Sequence, residues 1–224
     1  MIEELLPEAV VCVESRGDVL DVALSAEEEA LVARAVDKRR REFTTVRACA
    51  RTAFEHLGVE PAPVPTGDKG EPVWPAGVVG SLTHCDGYRA CAIGRSTEVL
   101  AIGIDAEPNA PLPDGLLPDI ARPEEVGWLG DHALAAPAVC WDRLLFSAKE
   151  SVYKAWFPLA KRWLGFEDAS LTVDREAASF CARLLVPGPT VEGRELTALS
   201  GRWLVRDGLV VTAIALRPAT ATVP

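Results

Sequence analysis

Apolar and polar positions along this chain fall into short strand-like runs broken by two longer stretches with helical spacing. Residues 9–14 (AVVCVE) form the first apolar run and read as a strand. A helix signal begins at Ser25, where Ser25 and Glu28 have the spacing of a capping box. Apolar residues then recur at Phe43, Val46, Ala50, Ala53, Phe54 and Leu57, and Gly58 closes the pattern. The β-branched pair Thr44-Thr45 marks the expected bend or break. Arg47 and Arg51 lie one turn apart and share a face.

Residues 61–75 are rich in proline and glycine and read as a loop. Two strand-like runs follow, 78–83 and 88–93, joined through the hairpin dipeptide Asp86-Gly87. A third run, 99–104, ends in Asp105-Ala106-Glu107-Pro108. Residues 108–137 contain six prolines and read as loop with a short helix. The strongest helical pattern runs from about Pro137 to Trp156, with Pro158 as its expected stop. Strands are predicted at 171–173, 180–186, 196–205 and 209–216, the last two joined through Arg206-Asp207-Gly208. Helix plus antiparallel strands in each half suggests an α+β fold with two similar halves meeting near residue 100. Direct self-similarity is too weak to establish a duplication.

Composition narrows the picture only slightly. With 224 residues, 49% hydrophobic and 25% charged, the chain is ordinarily globular. No run of about 18 apolar residues is present to span a membrane. The acidic start, MIEELLPE, is unlike a secretory signal, so a cytoplasmic protein is expected. Six cysteines without a CxxC pair read as free, mostly buried thiols. A net charge of −10 argues against general nucleic-acid binding. The bases nevertheless cluster: Lys38-Arg39-Arg40-Arg41 with Arg47 and Arg51, and Lys149, Lys154, Lys161 and Arg162. Such local basic regions suit a small anionic ligand or an acidic partner, though solvated helix faces look the same.

Candidate chemistry collects at two places. Strand alternation puts Asp105 and Glu107 on one face, about 6.6–6.8 Å apart along the strand. Paired carboxylates ending an apolar strand suit Mg²⁺ or Mn²⁺ rather than zinc; alone they equally fit an acidic turn in solvent. On the predicted helix, Glu150 and Lys154 face one way, and Arg143 and Ser147 extend their stripe. An exposed ion pair is the plain alternative there. His84, in Ser81-Leu-Thr-His84, is a candidate base or a structural hydrogen-bonder.

In their order, these segments resemble a known family. GIDAE (Gly103–Glu107) followed by WDRLLFSAKESVYKAW (Trp141–Trp156) looks like the paired signature of the Sfp-type phosphopantetheinyl transferases. KRRREFTTVRACAR (Lys38–Arg51), GDKGEPVWP (Gly67–Pro75), GSLTHCDGY (Gly80–Tyr88) and KRWLGFED (Lys161–Asp168) are similar to its bacterial branch. That branch, which includes enterobactin-synthetase component D, serves siderophore, polyketide and lipid synthases. The likeness covers most of the chain.

The resemblance implies two α/β halves related by a pseudo-twofold, 1–99 and 100–224, with the active site in the cleft between them. It implies transfer of the 4′-phosphopantetheine of coenzyme A to a serine of acyl- or peptidyl-carrier domains, releasing 3′,5′-ADP. Asp105, Glu107 and Glu150 would hold Mg²⁺, Lys154 would contact the attacked phosphate, and Lys149 would lie beside the bridging oxygen. Whether Glu150 is base, ligand or both stays open. Arg39, Arg47, Lys69, Thr83 and His84 would bind the nucleotide end, above all its 3′-phosphate. Thr66 departs from the pattern, standing where some relatives have lysine, and Ala106 offers no ligand. The carrier domains of polyketide and nonribosomal peptide synthases are the implied partners, met in part through Trp163-Leu164-Gly165-Phe166, a segment that core packing would explain as well. A monomer is expected.

Overall fold

In the computed structural model, which describes residues 1–20 and 22–219, the apolar runs of the first hundred residues become one small antiparallel sheet. Strand β1 (Val10–Arg16) and strand β2 (Val78–Cys85) flank β3 (Tyr88–Arg95). The β2–β3 hairpin turns at Asp86-Gly87 as predicted, with Gly87 at φ +74°, where only glycine sits without strain. The Ser25 capping box forms: its hydroxyl accepts from the Glu28 N–H at 3.2 Å, and its own N–H donates to the Glu28 carboxylate at 3.0 Å.

The helix that follows is interrupted, and the break lies elsewhere than expected. Helix α1 (Ala26–Val32) ends before a short connection, and α2 (Asp37–Leu57) runs unbroken through Thr44-Thr45. Thr45 is fully buried, and its hydroxyl accepts the Val19 N–H at 3.0 Å. A tertiary partner thus occupies the side chain that would otherwise compete with the helix. Gly58 caps α2 in the left-handed region. Cys49, Ala50, Ala53 and Phe54 pack this helix against Val78, Cys91 and Ile93 of the sheet.

The remaining residues build a five-stranded antiparallel sheet crossed by one long helix. Strand β4 (Ala101–Pro108) is followed by α3 (Leu117–Ile120), α4 (Pro123–Ala135) and α5 (Trp141–Ala160). Then come β5 (Ala169–Asp174), β6 (Ser179–Leu184), the minor ribbon β7 (Thr190–Val191) and β8 (Arg194–Glu195), β9 (Ala198–Arg206) and β10 (Leu209–Leu216). The large sheet has the order β4-β10-β9-β6-β5. Three expectations are corrected. The proline-rich segment holds a 13-residue helix, α4, whose Pro123 occupies the first turn where no N–H is needed. Helix α5 starts at Trp141 rather than near Pro137. Pro158 lies inside it without stopping it; the buried Trp156 and Phe157 hold the last turns onto the core. No helix of the described residues is long and apolar enough to cross a membrane. All six cysteines are free, but only Cys49 and Cys91 are fully buried, and Cys181 is exposed.

Strand β4 is the element that positions the chemistry. Its even residues, Ile102, Ile104 and Ala106, pack with Tyr88, Ala90 and Ala92 of the small sheet in one core. Its odd residues, Gly103, Asp105 and Glu107, face α5, as the alternation predicted. The outer edge of β4 meets the edge of β2 through side chains: Ser81 and Thr83 accept the N–H groups of Ile104 and Ala106, each at 3.1 Å. Hydroxyls thus satisfy backbone donors that a free edge would leave open. Gly103 allows the close approach of α5, since a Cβ there would stand 1.9 Å from the Ser151 carbonyl oxygen. Gly103→Ala is therefore expected to lower stability by at least about 1–3 kcal/mol, read from the midpoint of denaturant unfolding.

Candidate active site

A cleft of about 340 Å³ opens where α2, the 66–72 loop, β2 and the C-terminal half of α5 converge. Its lining includes Arg39, Arg47, Lys69, His84, Glu150 and Lys154, so the structure brings together six residues singled out in the sequence. Thr83, Asp105 and Glu107 lie along the adjoining β2–β4 seam.

Asp105 is 4% exposed. Its Oδ1 accepts from the Lys154 ammonium at 2.7 Å and from the Thr83 hydroxyl at 3.3 Å, while Lys154 also donates to the Ile104 carbonyl at 3.0 Å. Its Oδ2 is buried and has no hydrogen-bond partner among the described residues. Glu107, two residues on, accepts from Arg143 at 2.9 Å. Burial and the neighbouring Asp105 charge push the Glu107 carboxyl above its ordinary range, against the pull of Arg143. Burial likewise raises Glu150, with Asp105 adding to it and Lys154 opposing. Of the predicted stripe on α5, Arg143, Ser147 and Lys154 turn toward β4 and β10, Ser147 bonding Thr212 at 3.0 Å, while Glu150 borders the cleft.

Among the described residues, no three His, Cys, Asp or Glu side chains are gathered into a ready-made metal cluster. Asp105 is held by Lys154 and Glu107 by Arg143, and the Asp105 charge acts on both Glu107 and Glu150. In kind they fit a hard divalent cation, being all oxygen donors, and the orphaned Asp105 Oδ2 is an acceptor awaiting a partner.

At the other end of the cleft, Arg47 is 5% exposed and lies over the Phe43 ring at 4.1 Å. One Nη donates to Thr66 at 3.5 Å, so the residue that departs from the family pattern contacts this arginine directly. Burial lowers the Arg47 pKa to about 10. Arg39 approaches His84 Nε2 at 2.6 Å, and the His84 ring stands 3.6 Å from Glu42. Glu42 in turn faces the buried Arg89 at 3.7 Å, and Arg89 pairs with Asp18 at 2.7 Å. Burial and then the Arg39 charge depress His84 below its ordinary value.

Lys149 is not brought to this cleft. It is 3% exposed, pairs with the buried Glu125 at 2.8 Å, and donates to the carbonyls of Phe166 at 2.7 Å and Ala169 at 3.1 Å. Three acceptors meet the three hydrogens of its ammonium, and burial lowers its pKa. A second hollow of about 240 Å³ lies on that side, lined by Val152, Tyr153, Trp163, Leu164 and Phe166. Glu150 and Tyr153 border both spaces. Of the aromatic segment, Leu164 is buried and Trp163 is 71% exposed, so core packing and surface display are divided within it.

Several site residues escaped sequence reasoning. Tyr153, whose buried hydroxyl lacks a partner among the described residues, was recoverable as the position between Glu150 and Lys154 on the cleft side of α5. Glu42 sits three residues after Arg39 on the same helix face. Glu125 caps the start of α4 by accepting the Arg122 N–H at 2.8 Å, but its pairing with Lys149, 24 positions away in a different helix, has no local signal.

Titration of His84 by NMR is expected to show deprotonation below the ordinary histidine value, and Arg39→Ala should raise it by removing the adjacent positive charge.

Two family descriptions match the chain: 4′-phosphopantetheinyl transferase N-terminal domain over residues 27–94, and 4′-phosphopantetheinyl transferase superfamily over residues 101–201. The 4′-phosphopantetheinyl transferase Svp of Streptomyces mobaraensis is 52% identical over 225 residues, covering 99% of this chain and 92% of the relative. The 4′-phosphopantetheinyl transferase PptT of Mycobacterium tuberculosis is 55% identical over 195 residues, covering 85% of each chain. Enterobactin synthase component D of Salmonella typhimurium is 34% identical over 179 residues, covering 79% of this chain and 72% of the relative.

Proposed function

The chain belongs to the 4′-phosphopantetheinyl transferase superfamily, and from that premise we propose how its cleft performs the transfer. It is an enzyme that moves the 4′-phosphopantetheine of coenzyme A onto carrier-protein domains. The observation that carries the detailed reading is the Lys154–Asp105 contact at 2.7 Å with Glu150 beside it, at the head of a basic cleft.

Coenzyme A is a polyanion, and this cleft offers it four cations, Arg39, Arg47, Lys69 and Lys154, in a protein of net charge −10. Arg39, Arg47, Lys69 and His84 take the nucleotide end and its 3′-phosphate. Thr83 acts one step back, holding Asp105 and the β4 backbone. Lys154 faces the diphosphate and offsets charge on the transferred phosphoryl group. The pantetheine arm extends past Glu150 and Tyr153 into the apolar hollow beneath Trp163. Lys149, already bonded to three acceptors, holds the wall of that hollow rather than the bridging oxygen.

In the transfer, the carrier serine oxygen bonds to the phosphorus next to the pantetheine arm. The bond from that phosphorus to the bridging oxygen breaks, and 3′,5′-ADP leaves with the electron pair. Glu150, at the junction of the two spaces, accepts the serine proton directly or through water. Asp105, Glu107 and Glu150 would hold Mg²⁺, or Mn²⁺ in its place, with Arg143 releasing Glu107. When bound, the ion supplies positive charge against the diphosphate oxygens.

The two halves, 1–99 and 100–224, divide the work, the first reading the nucleotide and the second holding the acidic residues and Lys154. Cleft residues from both support that division. A pseudo-twofold between the halves, service to polyketide and nonribosomal peptide synthases, a monomeric state and a cytoplasmic location complete the reading.

Glu150→Gln is expected to slow transfer by about 10²–10⁴-fold, seen by mass spectrometry as an apo carrier that fails to gain one phosphopantetheine arm. Near-normal turnover would remove Glu150 from the chemistry. Calorimetric titration with Mg²⁺ in the presence of coenzyme A should give heat of binding that Asp105→Asn abolishes. An unchanged isotherm in the variant would refute the metal assignment.

A further inference from the structure

Glu28 lies outside the cleft, yet its carboxylate ties helix α1 to two of the segments that build it, α2 and the loop before Thr66. The residue is 1% exposed. One oxygen accepts from Arg51 Nη2 at 2.6 Å and from the Ser25 N–H at 3.0 Å. The other accepts the Val64 N–H at 3.2 Å and stands 3.8 Å from Arg47 Nε. Helix α1, helix α2 and the loop leading to Thr66 and Lys69 therefore meet on one buried charge.

Arg47 has little else to hold it. Among the described residues its only side-chain hydrogen bond is the long one to Thr66, and its buried Nε has no partner there. Glu28 is the one carboxylate paired with it among the described residues. The separation of 3.8 Å matters. A carboxylate in full fork contact would occupy the guanidinium donors and cancel its charge. Here Arg51, itself anchored to the Ala23 carbonyl at 2.8 Å, takes the near oxygen of Glu28. Glu28 thus attracts Arg47 without consuming the Nη groups that face the cleft. The same carboxylate fixes Val64, two residues before Thr66, so the loop and the arginine are set against each other by one group.

We propose that Glu28 is a positioning residue for coenzyme A, holding Arg47 and the 64–69 loop in the arrangement that receives the nucleotide phosphate while touching no substrate itself. This rests on the assignment of Arg47 to the 3′-phosphate given above.

The test compares coenzyme A with 3′-dephospho-coenzyme A as substrates for the full chain and for Glu28→Gln. The variant should raise KM for coenzyme A about tenfold, the scale of one charge-assisted contact, with kcat within about twofold. KM for the dephospho substrate should move far less. Parallel losses on both substrates, a fall in kcat alone, or no change would each overturn the proposal. Arg47→Ala serves as the reference. If it too fails to separate the substrates, the phosphate assignment is wrong and the proposal falls with it; if it separates them and Glu28→Gln does not, the positioning role alone is wrong. Should Glu28→Gln give no folded protein, Arg51→Gln, which keeps the carboxylate but strips its partner, is measured the same way against the same outcomes.

Discussion

A carboxylate buried between two sheets has to find compensating charge and donors, and the surroundings of Asp105 are organised by that requirement. Lys154 reaches it from α5, and Thr83 reaches it from β2. Both contacts depend on β4 lying close to each neighbour. Gly103 permits the approach of α5, and the hydroxyls of Ser81 and Thr83 stitch β4 to the edge of the small sheet. The result is a polar seam in the middle of an apolar structure, bordered by the core that both sheets share. Among the described residues one oxygen of Asp105 has no partner, so the seam is satisfied only in part.

Electrostatics in the cleft follow the same economy of partners. The basic run Lys38–Arg41 looks uniform in the sequence, yet its members separate in the fold. Lys38 pairs with Asp86, Arg40 with Glu29 and Arg41 with Asp18, all at the surface. Exposed pairs of this kind contribute about 0–1 kcal/mol each. Arg39 alone turns to the cleft and joins His84, backed by Glu42, Arg89 and Asp18. The cleft cations are each held loosely or by a single acidic group, so an anionic ligand can displace or share their partners. In an acidic protein this local surplus concentrates attraction in one place.

Helix α5 divides the chemistry into two sides. Its Arg143, Ser147 and Lys154 face β4 and β10, while Lys149 faces α4 and the 166–169 backbone. Glu150 and Tyr153 stand between the cleft and the apolar hollow. A single helix therefore supplies a cation to one space, a buried anchor to the other, and the residues on the boundary. Helical periodicity makes this division possible, because neighbouring positions point about 100° apart, and tertiary partners fix which side each charge serves.

What could be read without a structure was whatever depends on near neighbours. Strand alternation placed Asp105 and Glu107 on one face, the i,i+4 rule aligned Glu150 with Lys154, and the Ser25–Glu28 box and Asp86-Gly87 turn formed as written. These features are local, set by backbone geometry over a few residues. The break between α1 and α2, the survival of α5 past Pro158, and the length of α4 were decided by burial against distant elements. Lys149 shows the limit most clearly. It stands beside Glu150 in the chain, yet a buried glutamate from α4 and two backbone carbonyls draw it to the other side of the helix. Which charges are consumed by structural partners and which remain for a ligand is a property of three-dimensional neighbours, and only the folded chain brings those neighbours together.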